Sequence, residues 1–170
     1  VTASLLHVPR LHRTVLSNGL TVLVLENPVS DIVSARLFIR AGSAYESAET
    51  AGLVSFLMGL LTKGTATLSS MAIAEAVESV GASLSTDAAA DYSVISLKTV
   101  SADFDEIFTL ATTLLREPSL PEAEIELEQR LTLQQIRSMQ EQPFTVAFNQ
   151  LRQDMYGDHP YALSSIGTEA

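Results

Sequence analysis

The sequence predicts an α+β fold in which a largely antiparallel sheet is covered by helices on one face. Three observations carry that expectation. Two strand-like runs flank Asn18-Gly19, helical periodicity takes over after Thr50, and two further strand-like runs interrupt the helices between Ser83 and Thr99. Strands and helices are therefore grouped, whereas a doubly wound parallel sheet would alternate them more regularly. The lack of a Gly-x-Gly-x-x-Gly after any predicted strand argues in the same direction.

Each element follows from its local pattern. Arg13–Leu16 and Leu20–Glu26 form a hairpin around Asn18-Gly19, a dipeptide that tolerates positive φ. From Ile32 to Arg40 one side is wholly apolar, with Val33, Ala35, Leu37 and Ile39, and the other is mixed, which predicts a strand with one covered face. Leu53, Phe56, Leu57, Leu60 and Leu61 then recur at the spacing of a core-facing helical stripe, with Gly64 close enough to help end it. Ser69 is the expected N-cap of a second helix whose stripe is Ile73, Ala76, Val77 and Val80, and Gly81 stands where a left-handed terminal residue belongs.

Strands are expected at Ser83–Ala88 and Tyr92–Thr99. Ser101 is the expected cap of a helix with Phe104, Ile107, Phe108, Ala111, Leu114 and Leu115 on its inner face. Pro121 opens a long acidic helix reaching about Gln140, and Phe144, Phe148, Leu151 and Met155 mark a last one.

Composition narrows the classes. A chain of 170 residues, 46% hydrophobic and 18% charged, can bury a core as one compact domain spanning residues 1–170. A net charge of -10 argues against nucleic acid, whose phosphates need clustered Lys and Arg. The acidity fits either a basic ligand or a plain solvated surface. Without cysteine there is no disulfide framework and no thiolate metal site. The apolar run from Ala51 to Thr62 is well short of the roughly 20 residues a spanning helix needs, so no membrane insertion is expected. Val1-Thr2-Ala3-Ser4 shows no signal-peptide pattern. Cytoplasm, periplasm and organelle matrix all stay open as compartments for a soluble protein.

The helix from Ala51 to Thr62 has a second face made by Ser55, Met58, Gly59 and Thr62. Ser55, Met58 and Gly59 have the i, i+3, i+4 spacing by which His-x-x-Glu-His offers two zinc ligands and a general base. The spacing is present without the chemistry. His7, His12 and His159 form no helical pair and read as surface or loop residues. Glu122, Glu124, Glu126 and Glu128 alternate at i+2, which spreads them around a helix as a solvated face. Lys63-Gly64-Thr65 follows a helix and has the wrong order for a phosphate loop, and no Gly-x-Ser-x-Gly makes Ser55 a nucleophile.

Five segments carry a family resemblance: Asn18-Gly19-Leu20-Thr21-Val22, Arg40 to Glu46, Gly52 to Gly59, Lys63-Gly64-Thr65, and Val80 to Ser85. Together with His159-Pro160-Tyr161 they resemble the N-terminal domain of the M16 metallopeptidases, the family of insulin-degrading enzymes, mitochondrial processing peptidase and cytochrome bc1 core subunits. The resemblance covers nearly the whole chain and implies the fold of an M16 half-subunit. It also implies a sequence that ends before the domain's last strands and before a second homologous domain.

In active members the helix carries His-x-x-Glu-His, and a downstream glutamate completes the zinc site. Here Ser55, Met58 and Gly59 occupy the motif positions, and register places Gln135 at the downstream one. None is a normal zinc donor. The resemblance thus implies no cofactor and no catalysis by this chain alone, with zinc expected only on a partner. It further implies that the partner is a zinc-bearing M16 subunit or a homologous second domain. Extended peptide would add along the strand containing Ser83, Leu84, Ser85, Thr86 and Asp87, whose small side chains admit another backbone; a plain structural strand reads equally well. The alternatives are a pure scaffold subunit like the respiratory core proteins, or part of a zinc metalloendopeptidase whose active site lies on another subunit.

Overall fold

The computed structural model describes residues 10–169. They divide between Ile32 and Val33 into two compact units. The first is a hairpin of β1 (Leu11–Val15) and β2 (Thr21–Leu25), antiparallel with Leu11 opposite Leu25 and Val15 opposite Thr21. The turn closes through the Leu20 carbonyl, which accepts the Leu16 amide, and through the Leu16 carbonyl, which accepts the Gly19 amide, both at 2.9 Å. Gly19 alone takes the left-handed conformation, φ 86°, while Asn18 supports the turn by accepting the Leu20 amide.

The second unit holds a three-stranded sheet in the order β3-β5-β4, from β3 (Ile32–Ile39), β4 (Ser83–Ala88) and β5 (Ser93–Val100). β4 and β5 are antiparallel, with Ser83 opposite Lys98 and Ala88 opposite Ser93. Burial alternates as a sheet covered on one face requires. Ile95 and Leu97 are buried, Ala35, Leu37 and Leu84 pack against the same cluster, and Arg36, Phe38 and Lys98 are exposed.

Among the described residues, five α-helices follow the sequence expectation in number and order: α1 (Leu53–Leu60), α2 (Ser70–Ser79), α3 (Phe104–Arg116), α4 (Glu122–Gln140) and α5 (Pro143–Tyr156). Met58 and Leu61, Val77 of α2, and Ile107 and Ala111 of α3 close over Ile95 and Leu97 to make the core. Burying one Ile side chain such as Ile107 contributes about 1.5–3 kcal/mol. Ser69 caps α2 as expected, its hydroxyl accepting the Ala72 amide at 3.3 Å, and Gly81 follows at φ 64°.

Several details depart from the pattern reading, among them Phe108, which is exposed although expected on the inner face of α3. Ser101 does not cap α3: Ser101–Asp103 make a 3-10 turn and the helix begins at Phe104, because the chain leaves β5 too tightly for an extended cap at Ser101. Leu53 and Leu57 are exposed, while Met58, Leu60 and Leu61 are buried. A helix apolar around its circumference does not reveal its inner face. The α5 stripe of Phe144, Phe148, Leu151 and Met155 is also exposed.

Candidate functional site

α1 spans little more than two turns, so its ends and neighbours fix where its side chains go. Its N-cap is Gly52, which has no side chain to accept a helix amide. The buried carboxylate of Glu46 does so instead: Oε2 accepts the Gly52 amide at 3.0 Å and Oε1 the Val54 amide at 2.7 Å. This satisfies donors that a helix start leaves open and places negative charge at the positive end of the peptide dipoles. Glu46 has no role in the pattern reading; the usable signal was a helix start lacking its own capping side chain.

One side of α1 is tied to the sheet. Thr86 Oγ1 of β4 donates to the Met58 carbonyl at 2.6 Å, and the Met58 side chain, 5% exposed, belongs to the core. On the α4 side, Glu128 Oε1 lies 2.9 Å from the position a β-carbon on residue 59 would take. Glu128 Oε2 is 4.0 Å from Lys63 Nζ. Ser55 is half-buried, and Gln135 is exposed. Gln135 lies seven residues beyond Glu128, about 10 Å along the helix axis at 1.5 Å per residue.

These placements correct the reading of the glutamates as one solvated face. Glu122 and Glu126 are exposed, but Glu124 and Glu128 are half-buried. Glu124 accepts the Ser70 hydroxyl at 2.6 Å, and Glu128 meets Gly59 and Lys63. A spacing of i+4 puts Glu124 and Glu128 on one side of α4, the side that neighbouring elements cover.

The residues do not fit a zinc ion. Ser55, Met58, Gly59 and Gln135 offer no imidazole, carboxylate or thiolate, and the Met58 thioether is engaged in the core. Among the described residues no three His, Cys, Asp or Glu side chains gather as a metal group. His12 lies exposed on β1, and His159 Nδ1 accepts the Tyr161 amide at 3.2 Å; His7 lies outside the described residues.

β4 ends the three-stranded sheet, with β5 on one side only among the described residues. Ser83, Ser85 and Asp87 are exposed, whereas Leu84 and Thr86 are half-buried and committed to the core and to Met58. An open cleft of about 430 Å³ between α2 and β4 runs past Ser83 and Leu84, with Lys63, Ile73, Val77 and Ala82 among its lining. No helix among the described residues is long and apolar enough to cross a membrane.

Known proteins share this fold. An uncharacterised zinc protease of Rickettsia felis is 28% identical over 89% of this chain and 37% of its own length. The mitochondrial-processing peptidase subunit beta of Rattus norvegicus is 30% identical over 95% of the chain and 33% of its own length. A crystal structure described as a peptidase M16 inactive domain from Pseudomonas fluorescens matches with a TM-score of 0.88 at 26% identity, over 92% of this chain and 38% of that one. The chain thus spans 33–38% of the length of these relatives. The model of the insulinase family, peptidase family M16, matches residues 21–169, and the chain belongs to that family.

Proposed function

We propose that this chain is a non-catalytic M16 subunit or domain that pairs with a zinc-bearing M16 partner and contributes a wall and a peptide-binding edge to the joint chamber. The observation that carries the reading is the donor-free set at Ser55, Met58, Gly59 and Gln135, with Glu128 filling the space beside Gly59. Without a metal there is no acidified water and no Lewis acid for the scissile carbonyl, and Met58 accepts no proton. The inactive-domain description of the Pseudomonas fluorescens structure supports a family member that does no chemistry, and the subunit name of the Rattus norvegicus relative supports work in an assembly.

The peptide-binding part rests on β4. Its outer edge offers main-chain N–H and C=O groups for an added strand, and Ser83, Ser85 and Asp87 are too small to block one. Peptide held there lies beside a strand anchored to α1 through Thr86 and Met58.

Affinity purification of the full-length parent from its native extract, with mass spectrometry of its stoichiometric companions, tests the pairing. The proposal expects a companion with an intact His-x-x-Glu-His, and peptide cleavage by the pair that neither subunit alone provides. No companion, or respiratory membrane components alone, would replace it with the scaffold role.

A further inference from the structure

Residues 158–169 have little regular structure of their own, only the 3-10 turn Pro160–Ala162, yet side chains from three other parts of the fold fasten them. Arg152 of α5 donates from Nε and Nη2 to the Tyr161 carbonyl, at 3.1 and 2.8 Å, and from Nη2 also to the Leu163 carbonyl. The Tyr161 hydroxyl reaches Asp91, in the turn between β4 and β5, at 2.6 Å. Arg137 of α4 meets Glu169 at 3.1 Å.

The far end of this segment closes on the start of α1. Gly52 and Gly167 are both buried, with φ of 90° and 82°, and their backbones lie against each other. A β-carbon on residue 52 would stand 2.5 Å from the Gly167 nitrogen and the Ile166 carbonyl carbon, and one on residue 167 would stand 2.6 Å from the Ala51 oxygen. These are main-chain atoms, which no rotamer change moves aside, so a glycine on each side is what permits the approach. Gly52 is also the residue whose amide the Glu46 carboxylate accepts. The segment therefore joins the β4–β5 turn, at Tyr161, to the N-cap of α1, at Gly167. β4 and α1 are the same two elements that Thr86 and the Met58 carbonyl tie together.

We propose that residues 158–169 form a clamp that sets how α1, with Ser55, Met58 and Gly59, sits against β4. Arg152 holds the clamp and Gly52 is the seat it closes on, so a disturbance within the segment reaches the helix start without any change in α1 itself. Glu46 supplies the acceptors at that start, and the clamp supplies the packing. The clamp needs neither peptide on β4 nor a zinc-bearing partner.

Hydrogen exchange of the full-length protein, read by mass spectrometry on peptic fragments, tests the clamp, with circular dichroism to check the fold of each variant. Arg152→Ala removes the fork on Tyr161 and Leu163 and no hydrogen bond to α1. It should nevertheless speed exchange of the Gly52 and Val54 amides by about fivefold or more. Gly167→Ala should speed them by about tenfold or more, and Arg152→Ala carries the test if Gly167→Ala does not fold. Gly81→Ala brings the same left-handed strain, at φ 64°, with nothing for the new methyl group to strike, and should leave the two amides unchanged. Acceleration confined to residues 158–169 in Arg152→Ala would overturn the proposal. So would equal acceleration of the two amides in Gly81→Ala, which would mark a general loss of stability in place of a released clamp.

Discussion

Glu128 Oε1 lies 2.9 Å from the point at which a β-carbon on Gly59 would stand, so the carboxylate of α4 occupies the side-chain space of the last motif position on α1. The contact is with the end of a partly exposed side chain, which can move. Replacing Gly59 by Ala should gain about 1 kcal/mol of helix propensity and lose part of it in displacing Glu128. The gain should therefore be larger in a Glu128→Ala background. A double-mutant cycle by urea unfolding should return a coupling of about 0.5 kcal/mol or more. A coupling of zero would mean that the two positions do not compete for space.

Met58 decides how far the motif can be rebuilt. Its side chain packs with Leu61, Val77, Ile95 and Ile107, so Met58→Glu places a carboxylate in the core. The expected cost is about 3 kcal/mol or more, against less than about 1.5 kcal/mol for Met58→Leu. Chemical denaturation of both variants separates a buried position from one that faces solvent.

Glu46 holds the start of α1 through the Gly52 and Val54 amides. Glu46→Ala leaves both without that acceptor and should destabilise the protein by about 2–3 kcal/mol, with Glu46→Gln costing less. Hydrogen exchange at those two amides should accelerate in Glu46→Ala before it does at β5.

Tyr161 donates its phenol hydrogen to Asp91 Oδ1 at 2.6 Å, and this bond, followed by burial and the Asp91 charge, raises the phenol above its usual value of 10.0. The sign follows from the raised value in the folded state. The stabilising bond is fully present below the ordinary phenol range and is lost as pH climbs through the higher folded value. Ultraviolet titration should show one tyrosine ionising late, and Asp91→Asn should bring it down toward the others.

Much of the fold was legible because its signals are local. Asn18-Gly19, the Ser69 cap, Gly81 and the alternation in β3 and β5 each act within a few residues. The inner face of α1 was not legible, since Leu53 and Leu57 are as apolar as Leu60 and Leu61 and only tertiary packing separates them. The motif positions Ser55, Met58 and Gly59 were assigned through the family resemblance of the Gly52 to Gly59 segment, whose helical spacing they share. Glu128 could not be paired with Gly59, because the approach of two helices distant in sequence leaves no mark in either one. The capping role of Glu46 was hidden for a related reason: its partners lie six and eight residues ahead, outside the usual capping interval.

The central claim is that the α1–α4 junction holds no zinc, and equilibrium dialysis of the purified protein against zinc, followed by metal analysis, tests it most directly. The account predicts far less than one zinc per chain and a melting temperature that neither zinc nor a chelator changes. Stoichiometric zinc that is lost on replacing Ser55, Glu128 or Gln135 would contradict it, because those side chains would then be ligands or their close supports.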